Sequence, residues 1–283
     1  MTGLAAHPDN TLVDRALARI AIGPVTSAVI TRDVLGIPGA PAAVADRLAT
    51  ALLGADPRVQ QRHDGVWQLA AAARPEQSLA GCAFAVVDLE TTGSSPFRGG
   101  DKVTEVGVVL VEGGRVEVAY DRLVNPGRPI GAIVTAVTGI TDAMVRYEPT
   151  FQEQAGAILD ALAGRIFVAH NAGFDWRFLD AELRRARGVR LEGPRLCTVD
   201  LARRLLPHLP SRSLDSVTQW FGIPVARRHR AGGDAEATAR VLLRLLDLAA
   251  EHGAVVLDDL RTINLRMRKG RKRPAGPTWM DQA

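Results

Sequence analysis

Four carboxylates in three separated contexts constrain this chain more than any other feature: Asp88 and Glu90 in DLETTG, Asp175 in HNAGFD, and Asp234 in HRAGGDA. Asp88 and Glu90 close a short apolar run, Phe84 to Leu89, with the length and composition of a buried strand. Side chains at i and i+2 of a strand share a face, so these two acids converge where the strand ends. A second apolar run, Ile166 to Ala169, ends at His170-Asn171, and Asp175 then falls in the first turn of the following helix, aimed at the sheet edge. Asp234 stands at the start of the last long helix, and Asp175 and Asp234 each follow a histidine by five residues.

Taken singly, each context has an ordinary explanation. An Asp-x-Glu is commonly an exposed strand end, Asp175 would complement a helix dipole, and Asn171 would serve a turn. Together they form an all-oxygen donor set with no companion cysteine, which suits hard cations such as Mg²⁺ or Mn²⁺ better than Zn²⁺. His229 lies in an arginine-rich loop, separated from Asp234 by Arg230, Ala231 and Gly232-Gly233, whose glycines permit loop mobility. An imidazole with an unperturbed pKa of about 6.5 suits proton transfer near neutrality, so His229 is the natural general base for a bound water.

The organisation around these positions reads as two domains and a tail. At 283 residues with 47% hydrophobic content, one large domain and one small one are expected. Residues 1–75 are alanine-rich and helical, with a helix over Ala42 to Leu53 whose Val44, Leu48 and Leu52 recur at helical spacing. Arg58 to Gln61 and Val66 to Leu69 then flank His63-Asp64-Gly65, a hairpin signal. Helices followed by a short hairpin with a tryptophan resemble a winged helix, a pattern other small helical modules share; Trp67 is expected in the hairpin core. Ala73 to Ser78 reads as a linker.

The second domain, residues 80–252, opens with strand Phe84 to Leu89. Two β-rich runs follow, Val103 to Glu112 and Arg115 to Val124, joined through Gly113-Gly114. Helices are expected over Phe151 to Leu162, Phe174 to Ala186, Val199 to Leu206 and Gly233 to His252, with a buried strand from Arg165 to Ala169. Leu242, Leu245 and Ala249 form the apolar stripe of the last helix. Strands first, then helices alternating with strands, predict an α/β fold with a mixed sheet flanked by helices.

The charge is +4, and lysine occurs only at Lys102, Lys269 and Lys272, so the basicity is almost wholly arginine, which suits phosphate contacts and equally reflects codon bias. Residues 253–283 form a basic tail with Arg266, Arg268, Lys269, Arg271, Lys272 and Arg273, either a solvated tail or a phosphate-binding one. Cys82 and Cys197 lack metal-ligand spacing and are expected reduced and buried. With neither a leader nor an apolar stretch near the roughly 18 to 20 residues of a spanning helix, a soluble, cytoplasmic protein without membrane contact is expected.

DLETTG, HNAGFD and HRAGGDA resemble the three exonuclease motifs of the DEDDh (DnaQ-like) 3′–5′ exonucleases, over residues 83–250. Val137-Thr138-Gly139-Ile140-Thr141 resembles the family's TGIT segment near the nucleotide pocket, and Ser213-Leu214 with Phe221-Gly222-Ile223 adds to the match. A histidine rather than a tyrosine in the third motif selects the DEDDh branch. At the position of Thr138 many bacterial proofreading relatives carry a histidine, and the N-terminal module is a further departure from a stand-alone proofreading subunit.

The resemblance implies an RNase H-like fold and release of nucleoside 5′-monophosphates from a 3′ end. It implies two divalent cations, Mg²⁺ or Mn²⁺, associated with Asp88, Glu90, Asp175 and Asp234, and His229 as general base. Thr91, Thr92, Val137, His170, Asn171 and Phe174 become candidate substrate contacts, although Phe174 equally suits a helix core. Single-stranded or frayed 3′ ends of DNA are the expected substrate, in proofreading or repair with a DNA polymerase as partner. Short RNA is the alternative substrate, and a non-catalytic nucleic-acid-binding or polymerase-associated protein the alternative class.

Overall fold

The structure, a computed structural model, describes residues 3–8, 11–70, 78–97 and 100–263. The basic residues of the tail and the linker residues 73–77 lie outside these. The chain divides into two compact units, one holding the described residues of Ala6–Pro75 with Leu183–Glu192, the other those of Met1–Ala5, Glu76–Glu182 and Gly193–Ala283. Residues 183–192 thus group with the smaller unit.

In chain order the smaller unit contains β1 (Ala5–Pro8), α1 (Thr11–Ile22), β2 (Val25–Thr26), α2 (Ser27–Asp33), α3 (Ala42–Leu53), β3 (Val59–Gln61) and β4 (Val66–Leu69). The hairpin of β3 and β4 pairs antiparallel and β2 adds to β4, giving the order β2-β4-β3. Trp67 is buried, its indole N–H donating to Ser27 Oγ at 3.1 Å, as expected of a hairpin core residue. The α3 stripe differs from the expectation. Ala45, Ala49 and Leu53 are buried, while Val44 is exposed. Small residues on that face permit close packing of α2 on α3, so proximity outweighed side-chain size.

The larger unit is built on β5 (Ala83–Thr91), β6 (Val103–Glu112) and β7 (Arg115–Leu123). There follow α4 (Ala132–Thr138), α5 (Asp142–Val145), α6 (Phe151–Leu162), β8 (Ile166–Ala169) and α7 (Ala172–Arg187). Then come β9 (Val189–Glu192), which belongs to the smaller unit and pairs with β1, and β10 (Arg195–Cys197) of the larger one. The chain continues through α8 (Thr198–Leu205), α9 (Leu214–Phe221), α10 (Ala231–Glu251) and α11 (Asp259–Thr262).

The five-stranded sheet has the order β10-β8-β5-β6-β7. β10, β8 and β5 run parallel, whereas β5–β6 and β6–β7 are antiparallel. This is the mixed, helix-flanked sheet expected from the sequence. Alternation sorts β5 into two faces: Phe84 and Val86 join a core with Val109, Val111, Leu201, Leu205, Leu242, Leu245 and Ala249, while Ala85 and Val87 are buried on the other. α10 packs along β5, β6 and β7. The approach is close at Gly107, where an added Cβ would overlap the carbonyl of Ala231. Both cysteines are free; Cys82 is buried as expected, but Cys197, at the β10–α8 junction, is only half-buried.

Candidate active site

Asp88 and Glu90 have the parity of Phe84 and Val86, so they point to the face that α10 covers. There they meet Asp234 in the first turn of α10, and oxygens of the three carboxylates lie within 4.8 Å of one another. The register shifts between Glu90 and Thr91, ending regular pairing just past the acids. Parallel β8 reaches the same edge, with Val168 level with Val86, and hands the chain through His170-Asn171 to α7. Asp175, buried in the first turn of α7, accepts hydrogen bonds from its own amide and that of Leu89.

Burial pushes the Asp88 carboxyl well above its ordinary range, and the like charges of Asp175, Asp234 and Glu90 add to the shift. Burial, then Asp234 and Glu105, raise Glu90 to about 7. Asp175 is pushed up to about 8, chiefly by burial, against the pull of the two amides. Asp234 is raised by burial although Arg228 opposes it. Four acids held where ionisation is unfavourable need cationic charge nearby. The set fits a hard divalent cation on a second ground: Asp234 Oδ2 accepts from Arg228 and from the amide of His229 at 3.0 Å, whereas Oδ1 is buried with no hydrogen-bond partner.

His229 is exposed and has φ of 58°; with Asn171, at 77°, it is one of two non-glycine residues of left-handed backbone among the described residues. Its neighbours are tied down. Arg227 pairs with Asp121 of β7 at 2.9 Å. Arg228 bridges Asp215 of α9 and Asp234, at 2.5 Å from the latter. Arg230 takes both oxygens of Glu105 from Nε, at 3.0 and 3.1 Å, and one from Nη2 at 2.6 Å. The histidine ring is near enough to Asp234 and Asp215 for a charge on it to be felt by both.

Sequence reasoning missed Glu105, Arg228 and Asp215. The signal for Glu105 was an acid inside the otherwise uncharged run Val103 to Val111. It is buried on β6 directly opposite Glu90, on the same sheet face. No local pattern announces the partners of Arg228, since Asp215 lies on another helix.

The six candidate substrate contacts fall into two groups. Thr91 and Thr92 are buried; Thr91 Oγ1 donates to the Gly93 carbonyl at 2.6 Å and Thr92 Oγ1 accepts from the Lys102 amide at 3.0 Å. Both ring nitrogens of His170 are engaged at 2.8 Å, one by Thr198 Oγ1 and one by the Arg212 carbonyl, and burial lowers its pKa. The carbonyl requires a donor, so Nε2 carries the proton and Nδ1 accepts from Thr198. These three build the loops. Asn171 is exposed, and Val137 is 54% exposed near the C-terminus of α4, where left-handed Gly139 stops the helix. Phe174 is half-buried, its ring 4.9 Å from that of Phe178, so it shares the helix core and keeps one side accessible.

Among the described residues no helix is long and apolar enough to cross a membrane. The family model for exonucleases of the RNase T type matches residues 85–242, more than half of the chain. A DNA polymerase III of PolC type from Thermotoga maritima is 37% identical over 180 residues, covering 64% of this chain and 13% of the relative. An epsilon-subunit-like protein of DNA polymerase III from Rhodobacter capsulatus is 40% identical over 196 residues, covering 65% and 27%. The chain thus spans a minor part of either relative's length. Among solved structures, exonuclease X in complex with 5′-overhanging duplex DNA superposes with a TM-score of 0.51 at 27% identity, covering 62% of this chain and 99% of that one.

Proposed function

Because the chain belongs to the RNase T family of exonucleases, of the DEDDh type, we propose that it removes nucleotides one at a time from the 3′ end of DNA, with Mg²⁺ or Mn²⁺, releasing nucleoside 5′-monophosphates. The observation that carries this reading is the convergence of Asp88, Glu90 and Asp234 within 4.8 Å at the end of β5, with Asp175 close enough to raise the Asp88 pKa. Two divalent cations bound there would supply Lewis acidity, polarising water and the scissile phosphate.

In this reading Asp88, Glu90 and Asp234 hold the cations, Asp234 through its unpartnered Oδ1, and Asp175 completes the set. His229 accepts the proton of the attacking water on its imidazole, which its exposed position allows. Val137 offers an apolar contact to the terminal nucleoside, Phe174 a ring to stack on, and Asn171 a polar side chain at the turn into α7. Thr91, Thr92 and His170, whose side chains are engaged by Gly93, Lys102, Thr198 and Arg212, act in this reading by supporting the loops beside the acids. A role in proofreading or repair beside a DNA polymerase is supported by the polymerase III relatives. For the N-terminal unit we propose a winged helix, supported by three helices and a β2-β4-β3 sheet around one core.

The test is incubation of matched single-stranded DNA and RNA oligonucleotides, labelled at the 5′ end, with Mg²⁺ or Mn²⁺. Progressive shortening of the DNA with mononucleotide products is expected, and none by Asp88→Ala. A preference for RNA would move the substrate to short RNA. Inert wild-type protein that still binds both strands would make it a non-catalytic binding module.

A further inference from the structure

The loop that presents His229 is restrained on both sides, and the two residues that follow the histidine are held by a single buried group. Glu105 is 1% exposed and sits across the β5–β6 ladder from Glu90. Its carboxylate is engaged by the His229 loop: Oε2 accepts from the amide of Ala231 at 2.8 Å, and the guanidinium of Arg230 donates to both oxygens. Those partners are the two residues after His229. Like charges directly opposite on a sheet repel, so a glutamate facing Glu90 is costly unless its charge is consumed elsewhere.

We propose that Glu105 is a positioning residue for His229: by gripping Arg230 and the first amide of α10, it holds the chain in the left-handed turn that turns the imidazole outward beside Asp234. A free amide at a helix start is the natural anchor for a carboxylate, because the first amides of a helix lack intrahelical partners. A non-glycine residue at φ of 58° persists only where its surroundings fix it, and here the residues on both sides are fixed by carboxylates from separate elements. Arginines that, by composition, suited phosphate contacts are thereby spent inside the protein.

The inference rests on the proposed exonuclease reading, with His229 as proton acceptor. Its test is a double-mutant cycle on the full chain with Glu105→Gln, Arg230→Lys and His229→Ala, reading kcat and KM on the DNA oligonucleotide and Mn²⁺ binding by calorimetry. Glu105→Gln should lower kcat by about 30-fold or more, leave KM and the Mn²⁺ dissociation constant within about twofold, and cause no further loss in the His229→Ala background. Arg230→Lys keeps the charge but loses the fork, so it should show a smaller drop with the same non-additivity, and it carries the test if Glu105→Gln does not fold. Loss that adds to that of His229→Ala, or weakened Mn²⁺ binding, would place Glu105 in the metal site and overturn the proposal. Unchanged kcat in both variants would overturn it too. Inert wild-type protein would instead defeat the exonuclease reading, and this inference with it, whereas His229→Ala as active as wild type would leave the exonuclease reading standing and defeat the role of His229 as proton acceptor, and with it this inference.

Discussion

The site places its groups in two different ways. Asp88 and Glu90 are positioned by strand register alone, on a ladder flanked by β8 and β6. His229 is positioned on a loop by arginines that reach β7, α9 and β6. Register is cooperative: a one-residue slip would turn the apolar residues of β5 out of the core, so the acids cannot shift without unfolding the sheet. The loop is held by separate polar contacts, each of which can be weakened singly. The strand acids therefore tolerate electrostatic repulsion, raised pKa values included, whereas the proposed base depends on partners a point mutation can remove.

The sharpest way to break this contrast is Asp88→Asn. Activity should fall by about 10³-fold or more, the scale of removing an essential electrostatic group. Yet the metal-free protein should melt higher, because the amide relieves both desolvation and like-charge repulsion. Melting with a chelator checks this, and a lower Tm would show that Asp88 is not the strained group described.

Gly107→Ala attacks the junction of the two regions. The added methyl meets backbone rather than a flexible side chain, so α10 must move away from β6, carrying Asp234 and the His229 loop. Destabilisation of about 1 to 3 kcal/mol is expected in urea unfolding, with a loss of activity exceeding that of a surface substitution.

The pH dependence sharpens the comparison further. Glu90 at about 7 and Asp175 at about 8 bind protons more tightly folded than in an unfolded chain, where such carboxyls titrate near 4. Between those values the folded state holds more protons, so the stability of metal-free protein should fall as pH rises from about 4 to about 8. Saturating Mg²⁺ should flatten that decline by supplying the missing positive charge, and Tm measured across the range with chelator and with Mg²⁺ checks both statements. The smallest effect belongs to Arg227→Ala. Its pair with Asp121 is exposed, so a stability loss below about 1 kcal/mol is expected, shrinking further at high salt.

What could be read from the sequence follows the same division. The hairpin Val103 to Leu123, α6 over Phe151–Leu162 and the stripe Leu242, Leu245, Ala249 were legible because periodicity and turn chemistry are local. The short elements α4, α5, β9 and β10 were not, since three to seven residues carry too little periodicity to register. The acids and His229 were legible as residue types at fixed spacings. Their supports were not, because Glu105 lies 125 residues from Arg230 along the chain. The α3 stripe shows the opposite failure, local periodicity overruled by how near two helices come.

The left-handed backbone at His229 has a consequence for how this protein could be altered. A glycine there would adopt φ of 58° without steric cost, and stability should rise by about 1 kcal/mol while the proposed base disappears. A screen that selects only for thermal endurance would thus drift towards a sturdier but silent enzyme. Position 229 marks where durability and turnover are set against each other.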